Sequence, residues 1–359
     1  KAEYHPGTRW QAVFYILTLL ISLLIMIPNL NSPSPDIICG ILIIYTFILI
    51  LERSGKRLQL NFIQIILLNL VVFSCLAFKI SSLLLIATLL FLFNKEIFKR
   101  SLITIFISVL IISPFIIRNY YLSGYVIYPF PAIDIFNVDW KIPLDNVNAV
   151  KSEIESWAKI WTTPYPEVIK MKISEWIIPW FKLLDFINKM LIIINFSSIF
   201  TFIIMLLKKD FFLAKIQLII LINLTFWFIV APDPRFAYGF IFLGFSMTVA
   251  YLIKLLEYSA FAGILKFTRI GLACFLFLIV FKRIMFPVGT LTNPSIWIIS
   301  APFGTVETKD YYSDFHYRVP VPEGGCFNVE IPCVPYPLKD IVLRGKNLQG
   351  GFKVVKQNP

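Results

Sequence analysis

Five charged residues interrupt apolar sequence at places where charge is expensive. They are Asp36 in "NLNSPSPDIICG", Lys79 in "LAFKISS", Arg118 in "SPFIIRNYY", and Asp233 and Arg235 in "IVAPDPRFAYG". Ionisable groups at the edge of hydrocarbon persist when they are paired or used. Three cations gathered on one face suit an anionic group such as a phosphate. Arg grips phosphate oxygens with its planar fork, and Lys adds a point charge. Asp36 and Asp233 are then the carboxylates able to take a proton from an attacking hydroxyl. Each residue also has a plainer reading. Asp36 follows Ser-Pro-Ser-Pro and can cap a helix, Lys79 can snorkel, Arg118 can cover helix carbonyls, and Asp233 can pair with Arg235.

The elements that must position these charges are set by hydropathy. Of 359 residues, 58% are hydrophobic and 15% charged, too apolar a balance for a wetted surface. Nine membrane segments are read near 10–28, 36–51, 60–78, 80–93, 101–117, 189–207, 211–231, 236–253 and 268–286. Those at 36–51 and 80–93 are short for a full crossing. The expected class is therefore an all-α integral membrane protein, a polytopic helical bundle of about nine transmembrane helices, with loop helices and a small irregular or β tail. The net charge of +12 sits mainly in the breaks between apolar runs, with no recognition helix or zinc-finger spacing, which excludes nucleic acid as a partner.

Alternate short breaks differ sharply in charge. One set carries fourteen Lys and Arg residues, and the opposite set (29–35, 79 and 232–235) carries only Lys79 and Arg235. The positive-inside rule then places the first set in the cytoplasm. Residues 1–117 form five membrane segments, 118–188 an extracytoplasmic loop, 189–286 four more segments, and 287–359 an extracytoplasmic tail. Within the loop, Trp157 and Trp161 are expected on one helical face, and 175–188 reads as an interfacial helix. Asn119, Tyr120, Tyr121 and Tyr128 are candidates to line a substrate, and the aromatic belt of a membrane interface explains such tyrosines equally well.

The remaining chemistry is sparse. Cys39, Cys75 and Cys274 fall in apolar runs as small core residues. Cys326 and Cys333 lie in the tail without His neighbours at ligand spacing, a disulfide candidate if that tail is extracytoplasmic and no metal site. His316 stands alone in the tail. No Walker loop, dinucleotide fingerprint or Ser-His-Asp arrangement is present. The chain starts at Lys1, and it is expected to begin inside a longer protein.

The motifs "KISSLLL", "SPFIIRNYYLSGYVIYPFP" and "PDPRFAYG" together resemble the GT-C superfamily of polyprenyl-phosphate-dependent glycosyltransferases. With "SPSPD" and "PCVPYPLKDIVLRGKNLQGGF" added, they look closer to a bacterial family of GT-C-like multi-pass proteins. The resemblance implies a bacterial inner-membrane enzyme that takes a sugar from a polyprenyl-phosphate donor to a cell-envelope glycan or lipid, with a divalent metal as an optional companion. Arg118, Lys79 and Arg235 would contact the donor phosphate. GT-C enzymes carry their acidic catalytic residue in the first outer loop, so the principal base is expected upstream of Lys1. Two other readings stand beside this one: a transporter or flippase for a lipid-linked glycan, and a non-catalytic membrane scaffold.

Overall fold

A computed structural model describes residues 9–26, 34–52, 62–90, 95–257, 306–312, 315–321, 325–335, 337–338 and 341–355. The expected segment at 268–286 lies outside these residues. The chain divides into two compact units. One comprises Lys1–Ser113 and Glu153–Ile298, the other Pro114–Ser152 and Ile299–Pro359.

The first unit is a helical bundle. Its helices are α1 (Arg9–Met26), α2 (Asp36–Glu52) and α3 (Phe62–Phe78), then a 3-10 helix (Ile80–Ile86) running into the short α4 (Ala87–Leu90). The chain continues through α5 (Lys95–Ser123) and α6 (Leu144–Lys159), both of which cross the unit boundary. It closes with α7 (Tyr165–Val168), α8 (Ile173–Leu183), α9 (Phe186–Leu207), α10 (Phe211–Val230), a 3-10 turn (Pro234–Ala237) and α11 (Tyr238–Glu257). Among the described residues, four helical stretches are long and apolar enough to cross a membrane: Phe106–Ser123, Phe186–Leu207, Phe211–Val230 and Pro234–Leu256. The protein is a mostly helical, membrane-associated one.

Helix α11 is the centre of this unit and packs against α1, α2, α9 and α10. Two thirds of its span is buried (67%), against 28% for the span of α9. Close approach is bought with glycine. A Cβ on Gly239 would stand 2.8 Å from Cβ of Ile43, and one on Gly40 would stand 3.6 Å from the Gly239 nitrogen, so α2 and α11 cross almost backbone to backbone. Phe47 and Phe240 meet edge to face beside this crossing, with centroids 6.4 Å apart. Buried Asn195 ties α9 to α11, its Nδ2 donating to Leu191 O at 2.8 Å and Ile241 O at 3.0 Å. A polar side chain inside an apolar bundle is held by such bonds because nothing else there can solvate it.

Local chemistry starts the helices. Asp185 caps α9 by accepting from Asn188 N at 2.8 Å. At α8, Glu175 accepts from the Lys172 backbone N–H at 2.7 Å. The amphipathic stretch expected over 175–188 is accordingly divided: α8 ends at Leu183 and α9 begins at Phe186, with the Asp185 cap between them. Trp161 does not share the α6 face with Trp157, because α6 ends at Lys159 and Trp161 lies in the following turn.

The largest departure from expectation is the end of α5. Hydropathy puts it at 117, but the helix continues through Arg118–Tyr121 to Ser123. Its stop is Gly124, whose φ of 77° and N–H bond to Tyr120 O at 2.8 Å make a glycine C-cap. A Cβ there would lie 2.9 Å from Lys141 Cα. Asn119 and Ser123 support this last turn by bonding Val126 O at 3.3 Å and Asn119 O at 2.7 Å.

Among its described residues the second unit carries two small antiparallel hairpins. β1 (Thr308–Tyr312) pairs with β2 (His316–Pro320), and β3 (Ile341–Leu343) with β4 (Phe352–Val354). Cys326 and Cys333 are joined by a disulfide. Val354 N donates to Asp139 O at 2.9 Å, and the Arg344 Nε donates to Asp139 Oδ2 at 3.1 Å, so β3 and β4 are fastened to the segment after α5.

Gly239→Leu is expected to destabilise the protein by about 1–3 kcal/mol, the usual cost of overpacking. Thermal unfolding of the detergent-solubilised protein should show a lower midpoint for this variant, and Leu207→Ala, at a 76% exposed position, should leave the midpoint unmoved.

Candidate functional site

Asp36 is the first residue of α2, and its backbone N–H donates to Ser34 Oγ at 3.4 Å. Pro35 O accepts from Cys39 N at 2.9 Å, which fixes the first turn. Lys79 lies between α3 and the 3-10 helix in an extended conformation. Its carbonyl takes both the backbone N–H of Ser82 (3.1 Å) and the Ser82 hydroxyl (2.7 Å). These constraints bring Lys79 Nζ onto Asp36 Oδ1 as an ion pair, with the two side chains 15% and 10% exposed. The ammonium also sits 3.7 Å from the centre of the Phe236 ring. Burial draws the Lys79 pKa below its ordinary value, while the Asp36 carboxylate, and more weakly Asp233, pull it back up. Directly along the helices lie Cys39 and Cys75, each thiol 3.9 Å from the other's carbonyl oxygen.

The turn "APDPRFA" forms the facing part of the site. Two indoles hold its backbone: Trp180 Nε1 donates to Pro232 O at 2.8 Å and Trp227 Nε1 to Asp233 O at 2.7 Å. Both rings belong to an aromatic group with Trp176 and Phe228. Asp233 caps the 3-10 turn, accepting from Arg235 N at 2.9 Å, and it also takes Arg235 Nε at 3.3 Å and Nη2 at 3.2 Å. The Arg235 guanidinium lies 4.9 Å from the Trp157 ring centre and is 44% exposed. Trp157 in turn faces Phe236 at 6.5 Å, and Ser81 Oγ donates to Phe236 O at 3.4 Å.

The structure therefore joins Asp36, Lys79, Asp233 and Arg235 in one cluster around Phe236. Within it the charges are already paired. Lys79 acts first as the counter-ion of Asp36, and the outward edge of Arg235 is the cationic surface the cluster presents. An anion arriving here meets a guanidinium oriented by Asp233 and backed by Trp157.

Arg118 belongs to the other unit. It is exposed near the end of α5 and has no acidic partner among the described residues. Its neighbours in sequence turn inward. Asn119 is buried, and Tyr120 packs edge to face with Phe136 at 4.7 Å and Trp140 at 5.6 Å. Tyr121 is exposed, and Tyr128 is half-buried ahead of Pro129. Of the proposed substrate-loop residues, Asn119 and Tyr120 hold the helix end together rather than offering a free polar edge.

Trp157, Trp180, Trp227 and Phe236 are the participants that reading by charge overlooked. The signal available was "PDPRF" itself: a tight proline-bounded turn exposes carbonyls that need donors, and indole N–H groups supply them. Among the described residues no three His, Cys, Asp or Glu side chains gather at one point.

Residues 2–242 match the family described as Domain of unknown function (DUF8201). The chain belongs to that family. The matched region includes α1 to α10, the Asp36–Lys79 pair, Arg118 and the Asp233–Arg235 turn. No curated protein and no solved structure matches the chain.

Lys79→Met leaves Asp36 without its counter-ion in a site of low exposure and is expected to cost about 3–5 kcal/mol. The double variant Asp36→Leu/Lys79→Met should recover most of that loss. A double-mutant cycle on thermal unfolding measures the coupling, and additive losses would show that the pair carries no structural weight.

Proposed function

We propose that the cluster around Arg235 binds the phosphate of a lipid-linked sugar on the extracytoplasmic side of a bacterial inner membrane, and that the protein is a GT-C-type glycosyltransferase or part of one. The observation that carries this reading is the placement of an exposed, pre-oriented guanidinium at the end of an apolar bundle, set on Trp157 and held by Asp233. A lipid phosphate has its charge at that depth and its chain in the hydrocarbon, so the two needs are met together. Within the second unit, Arg118 is exposed at the end of an apolar helix without an acidic partner among the described residues, and the motif resemblance gives it a donor-phosphate role of its own. The motif resemblance to polyprenyl-phosphate-dependent enzymes supports the same conclusion, and the reading takes the bundle to have about nine crossings with the long loop and the tail outside.

In such a transfer the acceptor hydroxyl oxygen bonds to the anomeric carbon as the bond from that carbon to the phosphate oxygen breaks. The hydroxyl proton goes to a carboxylate, and the polyprenyl phosphate leaves with its added charge held by guanidinium donors. Asp233 and Asp36 are the carboxylates at this turn, and both are engaged by cations. By the resemblance, the principal base would be a further acidic residue in a first outer loop.

A second reading has its own observation. Both side-chain polar atoms of Gln217, the Oδ1 of Asn223, and the hydroxyls of Ser246 and Thr248 are buried in the middle of α10 and α11 without a hydrogen-bond partner. Unmatched polar atoms at mid-bundle suit a polar path, as a flippase would need. Movement of a lipid-linked sugar across liposomes without product formation favours this reading over transfer.

The test is binding and transfer with the full-length protein and a polyprenyl-phosphate sugar. Arg235→Ala should weaken donor binding about ten- to a hundredfold, the range for lost charge-assisted bonds, with Arg235→Lys intermediate. Unchanged binding in the Arg235→Ala variant would remove the phosphate assignment.

A further inference from the structure

Beside the charged cluster, the ends of α1, α9 and α11 enclose a separate open cavity of about 320 Å³. Leu24 and Ile25 of α1 and Phe186 and Ile187 of α9 give it a hydrocarbon wall. Asp185, Asn188 and Tyr238 give it a polar one. Asn188 is only 9% exposed, and its Oδ1 has no hydrogen-bond partner. Its Nδ2 is committed to Asp185 Oδ2 at 2.8 Å, and the Tyr238 hydroxyl lies beside the same amide. A buried amide oxygen left without a donor is costly, and a ligand that brings one recovers that cost.

The polar wall is rich in acceptors, and among the described residues no cation lines the cavity. An anionic head would meet the Asp185 carboxylate with nothing to balance it. Asp185 is itself satisfied as a helix cap, by the Asn188 backbone N–H and by the N-terminal dipole of α9, so it does not call for a cationic ligand. What remains unmet is a neutral donor. We infer that this cavity binds the hydroxyl-bearing, uncharged head of an amphiphile, such as a glycolipid, with the start of its hydrocarbon chain along Leu24, Ile25, Phe186 and Ile187. The size is in the range of small-ligand sites, about 300–1,000 Å³. This site is distinct from the proposed phosphate site and does not rest on the glycosyltransferase reading, because its occupancy is measured without turnover.

Photolabelling tests it. The full-length protein in nanodiscs is exposed to three probes with the same diazirine-bearing alkyl chain and different heads: β-glucoside, phosphate and trimethylammonium. The glucoside is expected to label peptides containing Leu24–Ile25 and Phe186–Asn188, and excess octyl β-glucoside should abolish that labelling. Asn188→Leu and the cavity-filling Ile187→Trp should each lower it about tenfold, as loss of a hydrogen bond to a buried group predicts. Tyr238→Phe serves the same purpose if Asn188→Leu fails to fold. Equal labelling by the phosphate or ammonium probe overturns the assignment of a neutral head. Labelling that survives Ile187→Trp in a folded protein overturns the site. Loss of donor binding in Arg235→Ala with glucoside labelling intact separates this site from the phosphate site.

Discussion

An apolar bundle gives its polar groups no water to fall back on, and that constraint organises the whole end of the molecule around Asp36. Every helix start and turn there has to be satisfied by the protein. The carbonyls of the "APDPRFA" turn are met by Trp180 and Trp227, its N–H by Asp233, and the Lys79 carbonyl by Ser82. The same demand explains why charge comes in pairs. A lone ammonium at Lys79's depth would be expelled or neutralised, so its survival depends on Asp36, and the rigid crossing at Gly40 and Gly239 keeps α2 where that carboxylate can reach.

Pairing has a functional corollary. A cation that is fully neutralised within the protein is a poor phosphate ligand, because a phosphate must first displace the native carboxylate. Lys79 is in that position, enclosed by Asp36 and the face of Phe236. Arg235 is not, since a guanidinium has more donors than Asp233 uses, and nearly half of its side chain is open. Geometry thus ranks residues that charge alone treats as equivalent: Arg235 offers a surface, and Lys79 fixes the architecture beneath it.

Much of this was legible in the sequence, and the boundary between what was and was not is physical. Hydropathy shows the helices of the bundle because burial in hydrocarbon needs long apolar runs, and charges stranded between such runs mark the ends. The Asp36, Lys79, Asp233 and Arg235 cluster could be nominated on those grounds. Its partners could not. Trp157 is separated from Arg235 by more than seventy residues, and nothing in local spacing shows that α6 returns to that turn. The end of α5 was misread for a different reason. Hydropathy falls at Arg118, but backbone hydrogen bonding is indifferent to polarity, and the helix stops only where Gly124 can take a left-handed conformation. Reading the glycine rather than the arginine would have placed Asn119 inside the helix and removed it from the substrate-loop candidates.

The buried polar atoms bear on how the helices of the bundle shift against one another. Asn195 satisfies its Nδ2 by bonding both its own helix and α11, yet its Oδ1 is left unmet against Gly244. Gln217, Asn223, Ser246 and Thr248 carry similar unmet atoms on α10 and α11. In a rigid scaffold such atoms are a pure loss, because apolar residues of the same shape would fill the space without the desolvation cost. They make sense where the interior admits water or a sliding hydroxyl, or where α9, α10 and α11 exchange hydrogen-bond partners between two arrangements. Helix α11 is central to either possibility, since it carries Ser246 and Thr248 at its middle, Tyr238 at the cavity, and the Asp233–Arg235 turn at its start. A displacement of that one helix would move the Arg235 surface and the cavity wall at Tyr238 together, because both adjoin its first turn.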